Sequence, residues 1–174
     1  MDYATIGMGI IILFVVILAL IGYNTMGQST IKDYYATEVL VSISPTDYLR
    51  EMKSGANPGL AVDLRSAVEY NVSHLVSSVN VPAGSMNTEQ LVAAFNKLPK
   101  DRDIVTYCYS SYCMLSKKVG KTLSENGIFV KHFTAGWLEI KRDYNNYVVY
   151  GPEPGVLVAN TTTGTCSVDD IGEF

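Results

Sequence analysis

Charge is absent from the beginning of the chain: no Asp, Glu, Lys or Arg occurs between Tyr3 and Ile31. That excludes an ordinary solvated surface helix there, which would show one polar face. Basic clusters are missing throughout. Lys and Arg number 13 against 17 acidic residues, the net charge is -4, and no basic stretch is interleaved with aromatics. Nucleic acid is therefore not an expected partner. Cysteine is scarce, at 3 residues, which is too few for a disulfide scaffold and too irregularly spaced for structural zinc. The 2 histidines, His74 and His132, are isolated and have no third ligand at suitable spacing, so surface or core roles are expected and no metal. Internal repeats and low-complexity segments are absent as well. A chain of 174 residues is then one ordinary domain plus an appendage.

The appendage is apolar. Ile6 to Tyr23 is almost wholly aliphatic, and at about 1.5 Å per residue such a helix reaches about 27 Å, enough to span a hydrocarbon core. Tyr3 and Tyr23 bracket the run where interfacial aromatics lie. A signal peptide would carry a basic leader and a small-x-small cleavage site, and neither is present. We expect a retained single-pass anchor over residues 1–28, contacting membrane lipid through residues 6–23, then a linker over 29–41. Lys32 beyond the span and Asp2 before it leave the positive-inside rule nearly silent. The acceptor triplets Asn71-Val72-Ser73 and Asn160-Thr161-Thr162 lean the domain slightly towards the extracytoplasmic side.

Beyond the anchor, Thr25 to Val41 reads as linker and lead-in strand. Ser44-Pro45-Thr46-Asp47 is a helix start, with Ser44 as cap and Pro45 at the first helical position, and the helix runs to about Lys53. Leu60–Leu64 reads as a buried strand, Ser66–Tyr70 as a helical turn and Ser78–Val81 as a strand closed by Pro82. A helix over Thr88–Leu98 is capped by Asn87 with Gln90 three residues on. Asp103–Tyr107 is a strand, Met114–Asn126 a helix stopped by Gly127, Ile128–Phe133 a strand, and Leu138 to about Tyr144 a last helix. Short apolar strands alternating with helices predict an α/β fold, a small parallel sheet flanked by helices on both faces, preceded by one transmembrane helix. The composition shifts at Val148, and 148–174 reads as an extension with one edge strand near Val156-Leu157-Val158.

Cys108 carries the chemistry. It ends the apolar strand and opens a short polar loop, Tyr109-Ser110-Ser111-Tyr112-Cys113, just before a helix. Amides of the turn and of the first helical turn converge at such a junction, stabilising a thiolate and any anion it attacks. In a parallel sheet this is also the end where catalytic groups gather.

The ordered set of local patterns resembles a rhodanese-like domain of the single-domain sulfurtransferase kind, over about Ser42 to Tyr144. The pieces are the Ser44-Pro45 helix start, Val62-Asp63-Leu64-Arg65, Glu69-Tyr70 with His74, Val79-Asn80-Val81-Pro82, the Ile104–Cys108 strand with its loop, and Ala135-Gly136-Trp137. The resemblance implies a domain over 42–147 in which Cys108 bears a persulfide. It implies a cradle formed by Tyr109, Ser110, Ser111, Tyr112, Cys113 and Met114, with Asp63 and Arg65 supporting the loop. It also implies a small sulfur donor, a thiol acceptor and no cofactor. Two departures stand out. The loop lacks the family's Gly and terminal Arg, which leaves little positive charge for thiosulfate, and Cys113 takes a position usually held by Ser, Thr or Arg.

Several alternatives stay open on the sequence. Cys113 is either a resolving thiol or an inward-facing packing residue, and Cys166 packs or stands free. Arg65 is either a substrate-side cation or the ion-pair partner of Glu69. Trp137 reads as a core anchor. Besides a membrane-anchored sulfurtransferase, the chain fits a catalytically weak docking subunit of a membrane protein complex, or a thiol–disulfide pair formed by Cys108 and Cys113. A Cys-x5-Arg phosphatase is disfavoured because Met114 occupies the position of the Arg.

Overall fold

The computed structural model describes residues 3–155, leaving out the side chains of residues 4–6 and 23–29. The chain divides into two units, 1–41 and 42–174.

In the first unit no proline interrupts the chain before Pro45, and one 39-residue helix forms, α1 (Tyr3–Val41). The expected linker and lead-in strand over Thr25–Val41 is therefore corrected. Its Ile, Lys, Ala, Glu and Leu residues are compatible with a helix, and Gly27 alone does not stop one. Over residues 10–15 the helix is apolar around its whole circumference: Ile10, Ile11, Ile12, Leu13, Phe14 and Val15 are all 58–65% exposed. Among the described residues no helix is long and apolar enough to cross a membrane. The span expected over Ile6–Tyr23 is thus not met there, and both ends of that run fall among residues whose side chains are outside the description.

The second unit begins with β1 (Ser42–Ile43) and α2 (Pro45–Lys53), capped by Ser44, whose hydroxyl accepts from the Asp47 amide at 3.0 Å. There follow β2 (Leu60–Asp63), α3 (Ala67–Val72), β3 (His74–Leu75) and β4 (Val79–Asn80). Next are α4 (Thr88–Asn96), with the expected Asn87/Gln90 capping box, β5 (Ile104–Tyr107) and α5 (Leu115–Ser124). The chain leaves α5 through Gly127 at φ 73°, a left-handed conformation that glycine adopts without strain. The last elements are β6 (Lys131–Phe133), α6 (Trp137–Asp143) and β7 (Val148–Val149).

Five strands form one sheet in the order β1-β6-β5-β2-β4, and every pairing is parallel. The period of two along each strand divides the core between the faces. Val62, Ile104 and Cys108 point towards Leu91 and Phe95 of α4 and Val119 and Leu123 of α5. Ala61, Val105, Tyr107 and Phe133 point towards Tyr48 and Leu49 of α2 and Trp137 and Ile140 of α6. The α/β architecture, with helices on both faces of a parallel sheet, follows directly.

One pairing went unanticipated. β3 and β7 form a separate antiparallel pair, His74 opposite Val149 and Leu75 opposite Val148. The Ser77 amide donates to the Pro154 carbonyl at 2.6 Å, so residues 148–155 pack back onto the domain rather than leaving it. The edge strand expected at Val156–Val158, Asn160 and Cys166 lie outside the described residues.

Candidate functional site

β5 delivers Cys108 to the carboxyl end of the sheet, and its exposure there is only 2%. The thiol packs on the α4/α5 face of the core, among Leu64, Val81 and Val119. Its thiol donates to the Cys113 carbonyl oxygen, with Sγ 3.5 Å away. The six-residue loop therefore curls so that its first and last cysteines meet, both as free thiols. A turn hydrogen bond from the Cys113 amide to the Ser110 carbonyl, 3.0 Å, closes the curl.

The main-chain dipoles reach both sulfurs, but unequally. The Ser116 amide and hydroxyl serve Cys108, whereas the Leu115 and Tyr109 amides serve Cys113. Burial pushes the Cys108 thiol up, and its bond with Cys113 pushes the same way against the Ser116 donors. Burial also acts upward on Cys113. There the hydrogen bond from Cys108, the two amides and the Lys118 charge outweigh it and hold that thiol below its usual value. Burial thus acts against the ionised Cys108 expected from the sequence, while Cys113 is less buried and sits closer to the start of α5.

The predicted cradle residues are spread around this pair. Tyr109 is 41% exposed, and its hydroxyl donates to Glu69 Oε2 at 2.9 Å. Tyr112 and Met114 project outward, at 91% and 55% exposed. Ser111 faces away from the sulfurs: its amide donates to both Glu139 carboxylate oxygens at 3.2 Å and its hydroxyl to Oε1 at 2.9 Å. Of the loop amides, those of Ser111 and Cys113 are thus already committed.

Glu139 is the residue that sequence reasoning missed. It is the third residue of α6, and it also accepts from the Gly136 amide at 3.0 Å, so one carboxylate ties the start of α6 to the cysteine loop. Burial acts upward on it, but these donors hold it below the ordinary carboxylate value. The Gly136-x-x-Glu139 spacing of a helix start was the available signal. Gly136 has its own reason to be glycine, since a Cβ there would lie 2.3 Å from the Ser110 backbone. The Trp137 amide donates to the Cys108 carbonyl at 2.7 Å and the Leu138 amide to the Tyr109 carbonyl at 3.0 Å, fastening the loop along the turn.

Arg65 does neither of the two things expected of it. It is 3% exposed and pairs with Asp63, Nη2 to Oδ2 at 2.6 Å, while donating to the Ser73 carbonyl at 2.8 Å. Its guanidinium lies 4.3 Å from the centroid of Trp137, which is itself 6% exposed. Both charges are consumed in the corner after β2, and the guanidinium is unavailable to a substrate. His74 is a core residue, completely buried. Its Nδ1 lies 2.8 Å from the Tyr70 carbonyl and its Nε2 3.0 Å from that of Glu153. Among the described residues no cluster of three or more His, Cys, Asp or Glu could hold a metal.

Comparison with known proteins bears on this arrangement. The family model of the Rhodanese-like domain matches residues 44–143. An HTH-type transcriptional regulator of Mycobacterium tuberculosis is 30% identical over 98 residues, which are 56% of this chain and 40% of that protein. The chain thus spans well under half the length of this curated relative. Among solved structures, the BH2092 protein of Bacillus halodurans superposes with a TM-score of 0.58 at 23% identity, covering 72% of this chain and 88% of that one. A full-length protein of Lactobacillus plantarum gives 0.54 at 14% identity, covering 71% and 98%. At these identities the two structures speak for the fold alone.

Proposed function

Because the chain belongs to the Rhodanese-like domain family through residues 44–143, we propose that it moves sulfane sulfur through a persulfide on Cys108. The observation that carries this reading is the pair of free thiols at the carboxyl end of β5, with Cys108 Sγ 3.5 Å from the Cys113 carbonyl oxygen just before α5. The Cys108 sulfur gives up its proton as it attacks the outer sulfur of a donor persulfide. The donor leaves as a thiol after collecting that proton. The Ser116 amide and hydroxyl favour the ionised form of Cys108 that makes the attack.

The rim selects among donors by charge. Glu69 and Glu139 are the carboxylates bonded to the loop; burial acts upward on both, and their hydrogen-bond donors hold both below the usual value. With Arg65 sequestered, a dianion such as thiosulfate meets repulsion and no paired cation. A thiol persulfide of low charge fits better. Supporting roles for Asp63 and Arg65 belong to the same proposal: they hold the neighbouring strand end and Trp137, not the donor.

A membrane anchor is part of this reading, supported by the uncharged stretch from Tyr3 to Ile31 and by the apolar side chains on every side of the helix over residues 10–15. Retention in membranes after alkaline carbonate washing is expected for the full chain, and its release would remove the anchor. A weakly active docking module is the second reading, favoured by the outward Tyr112 and Met114 at the mouth of the loop. One experiment separates the two. After exposure to a glutathione persulfide donor, the intact mass is expected to rise by one sulfur atom in the Cys113→Ser chain and not in Cys108→Ser. Equal masses in both variants would leave the docking reading.

A further inference from the structure

A buried persulfide poses a question of delivery. Cys108 is 2% exposed, so a sulfur carried there lies within the loop, on the side where the chain's own second thiol sits. The chain already holds a thiol in contact with it. Cys113 is half-buried, its carbonyl oxygen lies 3.5 Å from Cys108 Sγ, and the turn to Ser110 holds it in place. It packs at the border of the same apolar cluster as Cys108, so the two sulfurs share one site rather than lying on opposite sides of the loop.

We propose that Cys113 is a resolving residue: its sulfur attacks the inner sulfur of the Cys108 persulfide, closing a Cys108–Cys113 disulfide and expelling hydrosulfide. This deepens the sulfurtransferase reading and rests on it, naming the internal acceptor and the product. The Cys113–Cys108 sulfur–sulfur bond forms, the bond between Cys108 sulfur and the sulfane sulfur breaks, and the electron pair departs on HS⁻. The two cysteines are oxidised together by two electrons and the sulfane sulfur is reduced to sulfide. No further oxidant is required. A dithiol reductant of the cell resets the pair for another turnover.

The direction of attack follows from the leaving groups. Attack on the outer sulfur would expel the Cys108 thiolate, the form that burial disfavours. Attack on the inner sulfur expels hydrosulfide, the anion of a stronger acid than an alkyl thiol, and a lower leaving-group pKa speeds exchange. The donors around Cys113 favour its thiolate, the nucleophile this step needs.

The test uses the full chain with Cys166→Ser, so that only Cys108 and Cys113 remain, and sodium tetrasulfide as the sulfur source. Samples are quenched with acid over time and analysed by intact mass and peptide mapping. The expected course is a transient gain of one sulfur on Cys108, then conversion to a chain lighter than the starting material by two hydrogens, with Cys108 cross-linked to Cys113. Cys113→Ser and Cys113→Ala, two variants in case one folds poorly, are expected to stop at the persulfide and hold it at least tenfold longer. A persulfide equally long-lived with and without Cys113 overturns the inference and leaves the sulfurtransferase reading intact. Failure of every variant to take sulfur on Cys108 overturns both.

Discussion

Two corners at the same end of the sheet, after adjacent strands, use their polar groups in opposite ways. After β2, Asp63 and Arg65 are buried and answer each other fully, with the Ser73 carbonyl and the Trp137 ring completing the guanidinium's surroundings. After β5, Cys108 and Cys113 share a hydrogen bond and remain free thiols, while Tyr112 stands in solvent beside them. The first corner is closed chemistry, and it fixes where Trp137 sits. The second is fastened through backbone and carboxylate contacts and carries two free thiols. A charged residue near a nucleophile is thus no guide to substrate binding until its own partners are counted.

The largest effect expected from breaking this contrast lies in the closed corner. Arg65→Ala leaves the Asp63 carboxylate buried without its cation, and removing one member of a buried pair costs about 3–5 kcal/mol. Cys108→Ala deletes one buried methyl-sized group and costs about 1 kcal/mol. Urea unfolding of the two variants checks the ordering, and equal losses would mean the β2 corner is not the structural one. Function is expected to sort the other way, with Cys108→Ala folded and unable to hold sulfur.

Next in size is the seam between the corners. Gly136→Ala places a methyl group 2.3 Å from the Ser110 backbone, and neither that backbone nor the turn before α6 can yield freely. Overpacking of this kind costs about 1–3 kcal/mol. The displacement falls on the cysteine loop, so persulfide loading is expected to drop about tenfold or more while the Asp63–Arg65 pair stays intact. Loading at the native rate would show that the loop moves independently of the turn.

A smaller effect comes from acid. Glu139 and Glu69 bond the loop with carboxyls held below their usual value. A carboxylate depressed in the folded state stabilises above its unfolded pKa, and that stabilisation is lost as pH falls through the folded value. The loop contacts are therefore intact at neutral pH and released below the ordinary carboxylate range. Amide hydrogen exchange at Ser111 is expected to accelerate there in the native chain and already at neutral pH in Glu139→Gln. Unchanged protection in that variant would remove Glu139 from the loop's support.

The sequence made the architecture readable wherever local chemistry acted alone. Ser44 with Pro45, Asn87 with Gln90 and Gly127 marked helix ends that the structure places within a residue or two. Helical residues from Thr25 to Val41 were misread because no stop signal separates them from the apolar run, and the absence of a breaker is harder to notice than its presence. β3 and β7 escaped because each is two residues long and exists only through its pairing with the other. The position of Cys108 was legible and its environment was not. Glu139, Ser116 and the sequestering of Arg65 are tertiary facts that no spacing around residue 108 reports.

The subtlest contrast is within the cysteine pair. Spacing singled out Cys108 as the thiolate, yet burial raises that thiol while the Leu115 and Tyr109 amides, the Cys108 hydrogen bond and Lys118 leave Cys113 lowered. Brief treatment with iodoacetamide at neutral pH is therefore expected to label Cys113 first, as peptide mapping would read out. In Cys108→Ala the donor to Cys113 is gone, so the pH midpoint of Cys113 labelling should move upward, by a modest amount because the two amides and Lys118 remain. In Cys113→Ser the labelling of Cys108 should stay slow, since burial, its largest influence, is untouched. Labelling of Cys108 ahead of Cys113 in the native chain would reverse the polarity of the pair. It would take the resolving nucleophile away from Cys113.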